Sequence, residues 1–545
     1  MIKAIEKYPV LSLLVLVLLM LLPSLGELKV TIMEARNFIT AREMLSHNNW
    51  ILTTLNGEPR YEKPPLPTWI TALFGLVFGI KNVYALRLPG VIMVWLTGIS
   101  VYLFSKELTQ NKRNSFINGI ICVSSFYIVG IIIEAPWDIY THGFMMLAIY
   151  FMYKNYQQYH LKRVLLAAAF IACSVLSKGP ISLYALLLPF LLAFVVVYGV
   201  KNNFITRTLF PLVLGVVLGS GWFVYVRLAD PDAFLKIAEV ETANWSSYNV
   251  KPFYFYWNFF IQSGIWTIPA VLGLLYPYMI KQVKNVAHYK LSLFWTLFSV
   301  ILLSLVPEKK ARYLVPVLIP LAINTGFYIY YIVEKYASKI KKAEAIPVFF
   351  HFGILALVAM LFPVVTFFMF QEVLLSNPTT FLVYCLGLFI SGSFLLFFLC
   401  FKVMWSSFYT SIFIVILLFV AVIPVNPGFA NQNINYNSIA HLKTEAEEEN
   451  IPVYVLDQIT PENLWEYGGI VPKIQKNDNG YIFPKINRFG VLVNDSSLIN
   501  SGGFDSTYII EKKEIYDLNQ GKFNTRKHKP RYVNSYYVFT KKYNN

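Results

Sequence analysis

The chain has 545 residues, of which 56% are hydrophobic and 14% charged, a formal net charge of +16 and a mean hydropathy of +0.53. That apolar share lies above, and that charge content below, what ordinary soluble domains carry, which excludes a soluble protein and selects a multi-spanning membrane protein. The basic residues come in short groups between apolar runs, so they read as membrane topology, and no nucleic-acid partner is expected.

A bilayer core of roughly 30 Å takes about 20 apolar residues per helix. Runs of that kind fall near 8–26, 88–105, 115–133, 139–153, 164–178, 180–199, 208–227, 261–280, 291–306, 313–334, 347–370, 379–401 and 405–424, thirteen expected spans. Lysines and arginines gather in the loops at alternate ends, among them Lys3 and Lys7, Lys112 and Arg113, Lys162 and Arg163, and Lys341 and Lys342. The positive-inside rule makes those ends and the N-terminus cytoplasmic, and an odd number of spans leaves the C-terminal tail outside. The first run could pass for a signal peptide and is read as a retained anchor. Cys122, Cys173, Cys385 and Cys400 all lie in apolar runs, so no disulfide framework or cysteine metal cluster is expected.

Three external segments are long: 27–86, 228–260 and everything after Val425. In "TIMEARNFITAREMLSHNNW" the apolar residues Ile32, Ala35, Phe38, Ile39, Met44 and Leu45 form a helical stripe suited to a membrane surface, and "LPTWITALFGLVFGI" reads as a second interfacial helix. Between them Arg60, Glu62 and Lys63 stand among Pro59, Pro64, Pro65 and Pro67, which restrict the backbone. Two readings stay open there: a site built on opposed charges, or a belt of snorkelling side chains at headgroup level.

Asp138 follows Glu134 in "IIIEAPWDIYTHG", close to the hydrocarbon, where a carboxylate either faces a cavity, partner or metal or caps the next helix. His142, one turn on, is a second ligand or a packed side chain. Lys309 beside Lys310 is either a site residue or part of a solvated loop. Beyond Val425, "IPVYVL", "RFGVLVN", "STYIIEKKEIY" and "NSYYVFTKK" read as strands bounded by turn formers. The expected layout is a membrane domain over 1–425 and a small extracytoplasmic α/β domain over 426–545. No fixed-period repeat is evident.

The run "MEARNFITAREMLSHNNWILTTLNGEPRYEKPPLPTWITALFGLVFG" followed by "ALRLPG", with "WD" at Asp138, "LSKGP", "KPFYFYWNF" and "EKKARYLVPVLIPLA", resembles the bacterial aminoarabinose transferases and the protein O-mannosyltransferases. These are polyprenyl-phosphate-sugar-dependent glycosyltransferases of the GT-C type. The resemblance implies a polytopic α-helical GT-C fold of about thirteen membrane helices in a bacterial inner membrane, with the C-terminal domain in the periplasm. It implies transfer of a sugar, such as 4-amino-4-deoxy-arabinose, from a polyprenyl phosphate to lipid A, another envelope glycolipid or a protein, with inversion. It associates Arg36 and Lys63 with the carrier phosphate, and Arg60, Lys178, Lys309 and Arg312 stand as further candidates for that work. Glu34, Glu62 and Asp138 become the catalytic acids. Glu62 and Asp138 could hold a divalent metal (Mg, Mn or Zn), and no organic cofactor is implied.

Two departures stand out. Met33 occupies the place of an acidic residue usual in the family, and methionine neither accepts a proton nor binds a hard cation. Ser246 and Ser247 stand where relatives often carry an arginine. A lipid-linked sugar flippase or transporter and a catalytically inactive relative are the rival classes. Charges concentrated in external loops and the lack of an internal repeat speak against a transporter.

Overall fold

The computed structural model describes residues 2–200, 203–339, 342–376, 378–420, 433–477, 480–501, 504, 507–523 and 525–542. The chain forms two compact units: one of residues 1–28, 61–70 and 82–424, the other of residues 29–60, 71–81 and 425–545.

The first unit is helical. Among the described residues, six helices are long and apolar enough to cross a membrane: Val83–Thr109, Thr206–Ala229, Val286–Leu305, Ala311–Lys335, Lys342–Gln371 and Pro378–Cys400. The helices Lys112–Ser124 and Phe126–Glu134 are long and apolar enough only as a pair, bent by 41° at Ser125, whose ψ of 129° leaves the helical region. The protein is a polytopic helical membrane protein. The expected spans near 8–26, 180–199 and 405–424 are shorter apolar helices, Pro9–Leu21, Leu183–Tyr198 and Met404–Val420. Those near 139–153 and 164–178 are the helices Pro136–Gln157 and Leu161–Lys178, made less apolar by Asp138 and His142 in one and Lys162, Arg163 and Lys178 in the other. The run near 261–280 is broken. A 3-10 turn, Phe259–Trp266, is interrupted at Gly264 (φ 69°) and followed by the short helices Thr267–Leu274 and Tyr276–Met279.

Trp137, Trp266 and Trp295 are the largest fully buried side chains of this unit. Arg87 of "ALRLPG" is also buried and donates to the carbonyls of Leu25 (2.5 Å) and Leu28 (2.9 Å). It thereby satisfies the chain just after the first apolar helix, where backbone groups would otherwise lack partners.

The second unit is built on a four-stranded sheet in the order Val453–Val455, Arg488–Val493, Val533–Lys541, Tyr508–Asp517. The first pair is parallel and the other two are antiparallel. All four strands coincide with the β-rich stretches read from the sequence. Alternation divides the side chains between two faces. Phe489, Val491, Val493, Tyr537 and Phe539 enter one core, while Leu492, Tyr536 and Val538 join Ile439, Leu442 and Leu464 in another.

The helix Ile32–His47 belongs to this second core. Ala35 and Ile39 are fully buried in it, Phe38 packs on Trp465 with ring centroids 5.3 Å apart, and Arg42 donates to the Leu464, Trp465 and Gly469 carbonyls. Much of the stripe expected to face a membrane surface is therefore covered by protein. Residues 29–60, grouped in the sequence reading with the membrane domain, pack with the sheet because that helix carries the apolar face the sheet needs. Asn56 and Gly57 make the turn between the short strands Thr54–Leu55 and Glu58–Pro59, both with positive φ (57° and 78°), as a two-residue hairpin of this type requires. Buried Glu43 closes the turn by accepting from the Asn56 amide (2.7 Å), the Gly57 amide (3.2 Å) and Thr54 Oγ1 (2.6 Å). The Asn56 side chain pairs in both directions with the Val471 backbone at 2.8 Å.

Candidate functional site

The helix Leu161–Lys178 ends at Gly179, whose φ of 75° is open to glycine at little cost, so Lys178 is its last residue. The helix Pro136–Gln157 starts at Pro136 after Ala135 in the N-cap position, with no side-chain cap. Asp138 sits in that first turn. The capping reading of Asp138 is thereby set aside. Its Oδ1 instead forms an ion pair with Lys178 Nζ.

An acid near a helix N-terminus and a lysine at a helix C-terminus each suit the local backbone dipole. Both are enclosed, with 1% of the Asp138 side chain and 9% of the Lys178 side chain exposed, so neither charge is tolerable there without the other. Asp138 Oδ2 is buried without a hydrogen-bond partner among the described residues.

A polar chain runs behind the pair. His142 Nε2 lies 3.9 Å from Asp138 Oδ1, its Nδ1 is 2.8 Å from Ser182 Oγ, Ser182 meets Thr141 Oγ1 at 3.0 Å, and Ser174 Oγ donates to the Thr141 carbonyl at 2.7 Å. All four residues are buried. His142 is thus tied into the packed interior and also faces the carboxylate.

On its other side the Lys178 ammonium lies over the ring of Tyr313, 5.0 Å from the centroid. Arg312 and Lys63 are near enough for their charges to act on Lys178. Arg312 makes no hydrogen bond or ion pair among the described residues, and its Nε is buried. Lys63 reaches Glu241 at 3.6 Å with both side chains partly exposed, and Glu62 beside it is half-buried. Just before them, Tyr61 donates to Asp230 Oδ2 at 2.8 Å. Burial, with the hydrogen bond to and charge of Asp230, raises that phenol above its ordinary range.

Lys309 is placed differently from the expectation. It is buried, and its ammonium donates to the carbonyls of Lys251 (3.0 Å) and Val306 (2.5 Å). Together with the bridge between Val250 and Glu308, it pins the segment 249–256 to 306–310. Lys310 pairs with Glu308 at 2.5 Å, so neither lysine belongs to a loose solvated pair.

Glu34, Arg36 and Arg60 lie in the sheet-containing unit. Buried Glu34 closes a capping box at the start of Ile32–His47: its Oε2 accepts from the Thr31 amide at 3.0 Å, and Thr31 Oγ1 accepts from the Glu34 amide at 3.4 Å. Arg60 is buried and donates to Thr40 Oγ1 (2.9 Å) and the Arg36 carbonyl (3.4 Å), bracing the same helix. The Arg36 side chain is half-buried.

The expected residues thus fall into groups. Asp138 and Lys178 meet directly, Lys63 and Arg312 act on that pair, and Lys309, Arg60 and Glu34 have clear partners in local structure. Tyr313, Glu308 and Ser182 are additions. Tyr313 follows Arg312 directly in "EKKARY", and its hydroxyl is 3.3 Å from Glu308 Oε1. An aromatic next to a basic residue was the available signal, whereas nothing in the spacing of Ser182 announced its contact with His142.

Comparison with known proteins agrees with this architecture. A family model described as dolichyl-phosphate-mannose-protein mannosyltransferase matches residues 62–223. An uncharacterized protein of Aquifex aeolicus (strain VF5) is 25% identical over 324 residues, covering 58% of this chain and 62% of that one. The undecaprenyl phosphate-alpha-4-amino-4-deoxy-L-arabinose arabinosyl transferase of Photorhabdus laumondii subsp. laumondii is 22% identical over 312 residues, 55% of this chain and 56% of that one. The chain thus spans less than two thirds of the length of these curated relatives. The crystal structure of ArnT from Cupriavidus metallidurans bound to undecaprenyl phosphate is similar with a TM-score of 0.69 at 14% identity, covering 97% of both chains. Its apo form gives 0.70, covering 98% of both. The fold is ArnT-like, and the chain resembles the GT-C glycosyltransferases that use polyprenyl-phosphate sugars.

Proposed function

We propose that the chain is an integral-membrane glycosyltransferase that moves a sugar from a polyprenyl (undecaprenyl) phosphate to lipid A or another envelope acceptor on the extracytoplasmic face, with inversion. The observation that carries the reading is the buried Asp138–Lys178 pair, with a carboxylate oxygen and a guanidinium, that of Arg312, left unpaired among the described residues. A half-buried cation with no ion pair among the described residues suits an anionic substrate, and a guanidinium can grip two phosphate oxygens at once. In this reading the bacterial inner membrane holds thirteen crossings, the N-terminus is cytoplasmic and the C-terminal domain is outside.

The acceptor oxygen attacks the anomeric carbon from the face opposite the phosphate. The new C–O bond forms as the bond to the carrier phosphate breaks, and the products are the glycosylated acceptor and polyprenyl phosphate. Arg312 and Lys63 stabilise the charge that grows on the departing phosphate. Asp138 Oδ2 accepts the proton of a hydroxyl acceptor, and Lys178, paired with Oδ1, holds that carboxylate in place. A phosphate acceptor, already an anion, needs no base. A divalent cation, if bound, would be held by Asp138 Oδ2, which is buried without a partner among the described residues, and by Glu62, and would supply further positive charge for the phosphate.

A protein O-mannosyltransferase-like activity is the second reading, favoured by the family model over residues 62–223. Mass spectrometry of lipid A and of the polyprenyl-phosphate sugar pool, from cells with and without the gene, tests the proposal. Loss of one sugar from lipid A with accumulation of its carrier is the expected result. Unchanged lipid A with an accumulating carrier moves the acceptor to protein or another glycan, and no change in either pool overturns the transferase reading.

A further inference from the structure

The second unit carries a basic loop that the proposed chemistry does not use. It leaves the strand Tyr508–Asp517 and returns at Val533–Lys541, and its sequence, "GKFNTRKHKPR", runs from Gly521 to Arg531. Its base is fastened by a closed polar network. Asp517 Oδ1 accepts from the amide and side chain of Asn519, both at 2.8 Å. Asp517 Oδ2 accepts from Asn433 Nδ2 (2.8 Å) and is 3.1 Å from His528 Nε2. Asn519 and the Lys529 backbone pair in both directions at 2.7 and 3.0 Å.

This base holds up a tip of one chemical character. Lys522, Arg526, Lys527 and Lys529 are exposed, and none forms an ion pair or a side-chain hydrogen bond among the described residues. Phe523 stands among them with 64% of its surface exposed. One edge of its ring meets His528, with centroids 5.1 Å apart, and the rest of the ring faces outward. Unpaired cations around one apolar ring are the composition of a segment that rests on an anionic bilayer, with cations at headgroup level and the ring in the acyl boundary.

Two further contacts secure the base from within the same unit. Lys29, where the chain first enters this unit, donates from Nζ to the Leu518 carbonyl at 2.6 Å. Asn433, the first described residue after the apolar helix Met404–Val420, donates to Asp517 Oδ2 and to the Asn519 carbonyl (3.0 Å).

We propose that the 518–532 loop is a docking surface for anionic phospholipid headgroups of the bilayer that holds the protein. The test is hydrogen–deuterium exchange on the full chain in nanodiscs of phosphatidylcholine alone or with phosphatidylglycerol. The expected result is roughly tenfold slower exchange over 518–532 with phosphatidylglycerol, fading at high salt, and lost in the variant Lys522→Gln, Arg526→Gln, Lys527→Gln, Lys529→Gln. Phe523→Ser, which removes the outward ring and its one contact with His528, weakens the protection in part. Equal exchange in the two discs, or protection that persists in the fourfold variant, overturns the proposal. Protection that appears only when a soluble phosphorylated glycan is added overturns it as well and makes the loop a glycan-binding surface. An unchanged melting temperature shows that the variants remain folded.

Discussion

Replacing Lys178 with methionine keeps the length of the side chain and removes the charge, leaving Asp138 with no cation in contact at a position where 1% of its side chain is exposed. Breaking a buried pair from one side costs about 3–5 kcal/mol, because the remaining charge keeps its desolvation penalty and loses its partner. Among the described residues Asp138 has no alternative donor within hydrogen-bond reach: Oδ2 is unpartnered and His142 Nε2 is 3.9 Å from Oδ1. Lys178→Met alone should therefore lower stability by about 3–5 kcal/mol. Combining it with Asp138→Asn, which removes the stranded charge, should recover most of that loss, giving a coupling of about 2 kcal/mol or more in a double-mutant cycle. Thermal unfolding in nanodiscs, followed by tryptophan fluorescence, reads the cycle. Sugar transfer should be lost in both single variants and in the double variant, since the recovered stability does not return the carboxylate. A Lys178→Met protein as stable as the parent, or a double variant no better than the single, would refute the reasoning.

Arg312→Gln should leave the melting temperature nearly unchanged, because the guanidinium has no ion pair to lose, while transfer falls about 10²–10³-fold, the usual cost of removing one donor aimed at developing charge. Glu43→Ala should cost about 2–4 kcal/mol, since it strands the amides of Asn56 and Gly57, and Gly57→Ala about 1 kcal/mol through its positive φ; unfolding of the full chain measures both. At Asp517, burial pushes the carboxyl up, but the hydrogen bonds from Asn519, Asn433 and His528 outweigh it and hold the group below its usual range. A depressed carboxylate contributes stability that is present above its unfolded value near pH ~3.9 and is lost as pH falls through the folded value. Asp517→Asn should flatten that acid limb, and parallel stability–pH curves for parent and variant would contradict it.

The membrane class, most apolar helices and all four strands of the sheet were legible because each depends on composition or alternation over a short window. The break near 261–280 was not, since it turns on the positive φ of one glycine inside an apolar run. The packing of Ile32–His47 with the sheet was hidden for a related reason. An apolar stripe shows that a helix buries a face, and it does not say whether lipid or protein covers it. In the site, Asp138 and Lys178 were each singled out, yet their pairing joins residues on separate helices, which no local pattern reports. Lys309, Arg60 and Glu34 show the converse. Their charges suggested a ligand, and backbone carbonyls, a threonine hydroxyl or a cap account for contacts that each makes.

The most direct test of the central claim is a single reconstitution. The full chain in nanodiscs is supplied with a polyprenyl-phosphate sugar and an envelope lipid acceptor, and released polyprenyl phosphate and glycosylated acceptor are quantified by mass spectrometry for the parent, Asp138→Asn and Arg312→Gln proteins. The account predicts equimolar release and transfer by the parent and loss of both in the two variants, with Arg312→Gln as stable as the parent. Equal turnover by the variants, or a donor that is left unchanged by the parent, would contradict it.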